Sequence, residues 1–187
     1  MLFFIINQSL LWMDVRQTGF PGYANKILIY NDTIFSIGST QTDTSGYDIY
    51  ATAYTINGNS IWTYRLNGVN DSQDMPNDAI IGLDGNIYIT GILGIMDTIR
   101  MNIIGVDYDL FVLKLYRILG SKLWIWTYGS SNNLPSGVLD GGIVIISDNN
   151  GNLYVGGYSD TTINNNLSSK HIILSLTQSG NLRWIYK

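Results

Sequence analysis

An all-β fold is predicted: a β-propeller-type stack of four-stranded antiparallel blades. Three recurring landmarks predict it. Gly-x-x-x-Trp appears at Gly58 to Trp62, Gly120 to Trp124 and Gly180 to Trp184, and Trp12 holds the same place with Gln8 for the glycine. A short apolar run ending in glycine appears as Ile34 to Gly38, Ile87 to Gly91 and Leu153 to Gly157. Tyr47-Asp48-Ile49-Tyr50 is matched by Tyr108-Asp109-Leu110-Phe111 and more loosely by Lys170-His171-Ile172-Ile173. The tryptophans are spaced by 50, 62 and 60 residues, and the third landmark returns after 61 and 62. Three markers that keep one order at a period of about sixty are the signature of a repeat architecture.

Each repeat divides into strand-sized pieces rich in Ile, Val, Tyr and Trp, side chains that suit a pleated surface. The clearest set is Gly142 to Ser147, Asn152 to Tyr158, His171 to Leu176 and Asn181 to Tyr186. Asn57-Gly58, Asp84-Gly85-Asn86 and Asp148 to Asn152 punctuate the runs with residues that tolerate the positive φ of tight hairpins. Residues 1–15 supply the last two strands of a blade, and 25–66, 76–128 and 141–187 supply full blades. That makes fourteen strands, or three and a half blades of one domain spanning 1–187, an incomplete ring. Phe111-Val112-Leu113 and Ile143 to Ile146 are apolar on both faces, so the sheets are expected to be covered on both sides. Ser39 to Gly46, Ile92 to Ile104 and Ser159 to Ser169 are read as loops between second and third strands. They vary in length from copy to copy.

Composition narrows the function classes. The 187 residues are 45% hydrophobic, enough for one sizeable core. Ten basic against 14 acidic side chains, net charge −4, argue against nucleic acid as partner. Without cysteine there is no disulfide framework and no thiolate metal site. The opening Met1 to Ile6 is too short and lacks the flanks of a signal peptide, and no apolar run is long enough for a membrane-spanning helix.

The order Tyr108-Asp109-Leu110-Phe111-Val112-Leu113-Lys114-Leu115, Gly120-x-x-x-Trp124, Asp140, Ser147-Asp148-x-x-Gly151-Asn152-Leu153-Tyr154-Val155-x-Gly157 resembles the SBBP-type bacterial β-propeller repeat. The likeness covers most of the chain. It departs at Asn31-Asp32-Thr33, where the family has Asp-Gly-Asn, and at Lys170-His171, where it has Tyr-Asp. It implies a propeller, often within secreted or surface-attached bacterial proteins, and it carries no catalytic residues over. Gly-x-x-x-Trp is also similar to the Trp-docking turn of quinoprotein propellers. The Ala-x-Asp that precedes the glycine there is missing at Tyr54 to Asn57 and Tyr116 to Leu119, and no quinone or calcium ligands can be identified.

The candidate chemistry reduces to structural roles. Tryptophans recurring at one position are expected to pack between blades; the alternative is a ligand-stacking set. Asp148 to Asn152 reads as a hairpin turn, since no closing glutamate follows to complete a calcium loop. Asp48 and Asp109 open equivalent strands and are expected to accept backbone N–H bonds; the competing metal ring is weakened by His171 in the third copy. His171 has no evident triad partner. The acceptor sequons at Asn7, Asn31, Asn70 and Asn166 are no more than composition supplies. Catalytic, cofactor-binding and metal-ligating residues are therefore assigned to no position, and no cofactor is expected. The expected function is a non-catalytic scaffold for binding or surface interaction within a larger protein, taking a protein or carbohydrate ligand. Further blades or another chain would close the ring. The alternative is a fragment of a propeller enzyme, hydrolase or quinoprotein-like, with part of its active site elsewhere.

Overall fold

The computed structural model describes residues 21–41, 46–69, 72–96, 106–129, 139–163 and 166–187. Among them are twelve strands and no helix. The first sheet holds β1 (Gly22–Tyr30), β2 (Thr33–Gln41), β3 (Tyr47–Thr55) and β4 (Ser60–Leu66). The second holds β5 (Met75–Ile81), β6 (Ile87–Met96), β7 (Val106–Leu115) and β8 (Lys122–Tyr128). The third holds β9 (Asp140–Ser147), β10 (Leu153–Ile163), β11 (Asn166–Leu176) and β12 (Leu182–Tyr186). Each is an antiparallel meander whose strands pair in chain order. The expected half blade at 1–15, with Trp12 and Asn7, lies outside the described residues.

The three expected loops are only partly loops. The β2–β3 ladder runs to Gln41↔Tyr47, β6–β7 to Met96↔Val106 and β10–β11 to Ile163↔Asn166. Polar composition is a poor guide here because the ladder is made by backbone groups. β-branched Thr161 and Thr162 suit extended backbone as well as any apolar residue.

The recurring glycine that closes each second-strand run has a steric cause. The first strand of every sheet carries a β-bulge, with Asn25, Asn77 and Ile143 as the extra residues. Gly38, Gly91 and Gly157 stand opposite those bulges. A Cβ on any of them would collide with the carbonyl oxygen of Tyr23, Met75 or Gly141.

The sheets stack face to face through two cores. The face of the first sheet that carries Phe35, Ala51, Trp62 and Tyr64 packs on Ala79, Ile87, Ile89 and Leu113 of the second. The opposite face of the second, with Tyr88, Val112, Trp124 and Trp126, packs on Ile145, Leu153, Val155 and Leu174 of the third. The tryptophan-bearing face of one sheet thus meets a face rich in Ile, Leu and Val both times, with Phe111 the aromatic exception on the second sheet. First strands also adjoin one another: β5 lies against β1 and β9 against β5. Asp78 on β5 spans three sheets, bonding Lys26 Nζ at 2.7 Å and accepting the Ile145 N–H at 3.0 Å.

Coverage on both faces holds for the second sheet, where Phe111, Val112 and Leu113 are all fully buried. It fails for the third. Ile143, Val144 and Ile146 are 51%, 46% and 59% exposed, because among the described residues nothing packs on that face.

Candidate functional site

The Gly-x-x-x-Trp landmark is an inter-sheet lock. Gly58, Gly120 and Gly180 all adopt positive φ, at 85°, 68° and 89°, in the turn between the third and fourth strands. The glycine of one sheet receives the tryptophan of the sheet before it. The Trp62 ring lies where a Cβ on Gly120 would approach it to 2.5 Å, and Trp124 lies 3.0 Å from the corresponding point on Gly180. Each indole donates its N–H to a carbonyl of that same turn, Trp62 to Arg117 at 3.0 Å and Trp124 to Gln178 at 3.3 Å. These two rings are committed to packing between sheets.

A polar network reinforces the second lock. The Lys114 ammonium lies 2.7 Å from Asp84 Oδ2, donates to the Gln178 carbonyl at 3.1 Å and stands 5.2 Å from the Tyr88 ring centroid. The Tyr88 hydroxyl donates to Asp84 Oδ2 at 3.1 Å and reaches the Gln178 carbonyl at 3.4 Å. One carbonyl therefore collects an indole, an ammonium and a phenol. Burial pushes the Asp84 carboxyl up, but the hydrogen bonds from Lys114 and Asn86 outweigh it and hold it below its ordinary value. Burial, with Asp84 beside it, pushes the Tyr88 phenol up, so it stays a donor.

The expected turn at Asp148 to Asn152 is a turn. Gly151 has φ of 79°, and Asp148 Oδ1 accepts the N–H groups of Asn150 and Asn152, both at 2.9 Å. Its Oδ2 takes the Asn152 amide at 2.8 Å and the Tyr154 hydroxyl at 2.9 Å. The Asn152 amide leads the donors that together lower its pKa to about 2, against an opposing push from desolvation.

Asp48 and Asp109 occupy equivalent register positions and are buried. Asp48 Oδ2 is bound by Arg65, with Nη2 at 2.5 Å and Nε at 2.7 Å. The third member of this set is Lys170 and not His171. Gly157 pairs with Ile172, as Gly38 pairs with Tyr50 and Gly91 with Phe111, so His171 matches Ile49 and Leu110. His171 is exposed on the open face of the third sheet. Asn31 sits in the β1–β2 turn at φ 46°; Asn70 lies outside the described residues.

Asp74 is a buried node that carries no sequence signature. Its carboxylate accepts the N–H groups of Gly68 and Gly94 and the Ser72 hydroxyl, while its own N–H donates to the Tyr47 carbonyl at 2.7 Å. Burial raises its pKa, and those three donors only partly offset it. It ties the segment between the first two sheets to both. Among the described residues no three acidic or histidine side chains gather to hold a metal ion. Two open grooves of 390 and 380 Å³ run along the turn rim, one beside Tyr30, Leu83 and Asp148, the other beside Lys114, Asn152 and Gln178. No helix among the described residues is long and apolar enough to cross a membrane.

No protein-family model matches the chain, and no curated protein matches it either.

Proposed function

We propose that the chain is a non-catalytic β-propeller-type repeat module, a scaffold for binding or surface interaction within a larger assembly of such sheets. One observation carries the reading: both sheet interfaces use the same tryptophan-on-glycine lock, so the recurring residues serve packing. What differs between copies is the hairpin joining second and third strands, with ladders that end at Gln41, Met96 and Ile163. Variable hairpins on a repeated rigid stack are where ligand differences arise. The adjoining first strands, with Asp78 bridging three sheets, fit blades arranged about a common axis. The likeness to the SBBP-type repeat points the same way and suggests a secreted or surface-attached protein.

The test is to shorten the β10–β11 hairpin across residues 159–169 and screen both forms on oligosaccharide and peptide arrays. The expected result is a ligand bound by the natural chain and lost on shortening, with the strand spectrum in circular dichroism unchanged. Turnover of hydrolase substrates, or binding of a quinone with calcium, would favour the propeller-enzyme alternative. Solution scattering tests the blade arrangement: a wedge of sheets fanned about an axis is expected, and a flat parallel stack would overturn it.

A further inference from the structure

We propose that the open face of the third sheet is a docking surface for one further four-stranded sheet of this same repeat, whose turn glycine receives Trp184. The inference rests on the repeat-module reading and names the partner of that stack.

The first argument is positional. Register places Ile146, Tyr154, Ile173, Trp184 and Tyr186 where the second sheet has Ile80, Tyr88, Val112, Trp124 and Trp126. In the second sheet every one of those five belongs to the core closed by the third sheet. The first sheet repeats the arrangement with Leu28, Phe35, Ala51, Trp62 and Tyr64, closed by the second. The face is built alike three times and covered in the two cases where a following sheet is present. In the third, Ile146, Ile173 and Tyr186 stand 59%, 43% and 68% exposed. That is a contiguous apolar patch of the kind proteins cover.

The second argument is polar. A sheet arriving on the second sheet is recognised by one carbonyl, that of Gln178, which collects Trp124, Lys114 and Tyr88. On the third sheet Ser175 holds the register position of Lys114, and the missing cation is supplied from its neighbour on β12. The Arg183 Nη1 is held by Ser175 Oγ at 2.9 Å and by the Tyr154 hydroxyl at 3.3 Å. Trp184 packs beside them, its ring 5.9 Å from that of Tyr154. Indole, cation and phenol are again assembled at the place where a turn carbonyl would arrive. Arg183 is exposed, and a sugar or a lipid headgroup would use the same donors; what selects a following sheet is that this face is covered by one in both other copies.

The experiment compares the 187-residue chain with one lengthened after Lys187 by a second copy of residues 139–187. Hydrogen exchange is read on peptides covering 143–147 and 182–187, and molar mass by light scattering. At least tenfold slower exchange of both peptides is expected in the lengthened chain. A Gly→Val change at the added copy's counterpart of Gly180 should remove that protection. Three results overturn the proposal. One is an added copy that folds without slowing the two peptides. Another is an added copy that stays unfolded while the first 187 residues keep their own protection. The third is a natural chain already protected there as a face-to-face dimer, which would make a second copy the partner. Failure of the repeat-module reading is seen separately, in the scattering profile of the unlengthened chain.

Discussion

Replacing Trp124 by alanine isolates the energy of one inter-sheet lock. A fully buried tryptophan truncated to alanine costs about 3–5 kcal/mol. Trp124 is half-buried, which reduces that to about 2–3 kcal/mol, in proportion to the apolar area removed from water. Its hydrogen bond to the Gln178 carbonyl adds about 0.5 kcal/mol. The addition is small because Lys114 still donates to that oxygen, so no acceptor is orphaned. The sum is about 3 kcal/mol, or a fall in Tm of about 6–12 °C for a chain of this size. Trp184→Ala is the internal control. It has the same chemistry and the same register, but among the described residues no following turn receives it, so the loss is chiefly that of its contacts with the Tyr154 and Tyr186 rings, about 1 kcal/mol. Urea unfolding followed by circular dichroism measures both. Equal losses for the two variants, or a loss below about 1 kcal/mol for Trp124→Ala, would refute the claim that docking on the next turn is what the tryptophan is for.

Gly91→Ala forces a methyl onto the Met75 carbonyl at the bulge, so a loss of more than about 2 kcal/mol or failure to fold is expected, read by urea midpoint. Gly151→Ala is the milder comparison: its cost is the positive φ, about 1 kcal/mol, because only the mobile end of Gln178 lies near. Arg65→Met leaves the buried Asp48 without its guanidinium partner; the Arg65 side chain is 43% exposed, which holds the loss to about 1–2 kcal/mol in thermal unfolding. Acid should act on Asp148 through its depressed pKa. Its contribution is complete above the ordinary value of 3.8 and is lost as pH falls toward about 2, so Asp148→Asn should flatten the urea midpoint across that window. Asp74 works with the opposite sign. Its folded pKa is raised, so its share of stability declines as pH climbs above 3.8, and a plot of midpoint against pH should show the two slopes opposed.

Periodic features were legible in the sequence because they have a local steric cause repeated in every copy. The tight-turn glycines need positive φ and the bulge glycines need the absence of a Cβ, so both leave a fixed letter at a fixed spacing. The tryptophan follows because it must reach the next such turn. The register of the third copy was not legible, since the hairpins between second and third strands differ in length and Lys170 to Ile173 match Tyr47 to Tyr50 only loosely; the pairing of Gly157 with Ile172 puts Lys170, not His171, at the Asp48 position. Hairpin length was hidden because Thr, Ser and Asn prolong a ladder through backbone groups their side chains do not advertise. Strands apolar on both faces suggested sheets covered on both faces. For Ile143 to Ile146 that pattern instead goes with a face that nothing among the described residues covers. Asp74 left no signal because its partners, Gly68, Ser72 and Gly94, form no recognisable spacing.

The two faces of a sheet are chemically different, and this gives the stack a direction. Trp62 and Trp124 both point from an earlier sheet to a later one, and the glycine turn that receives them always belongs to the later one. Such a contact is heterologous: it can close into a ring or continue as an open array, but it cannot be satisfied by two identical faces meeting about a two-fold axis. Face-to-face pairing of third sheets would bring tryptophan, tyrosine and Arg183 against their own copies, with no turn carbonyl to accept the donors and like charges opposed. The chemistry that locks the first sheet to the second and the second to the third therefore also selects what can follow. The follower must offer an aliphatic surface like that of Ile145, Val155 and Leu174 and a glycine where Gly180 stands.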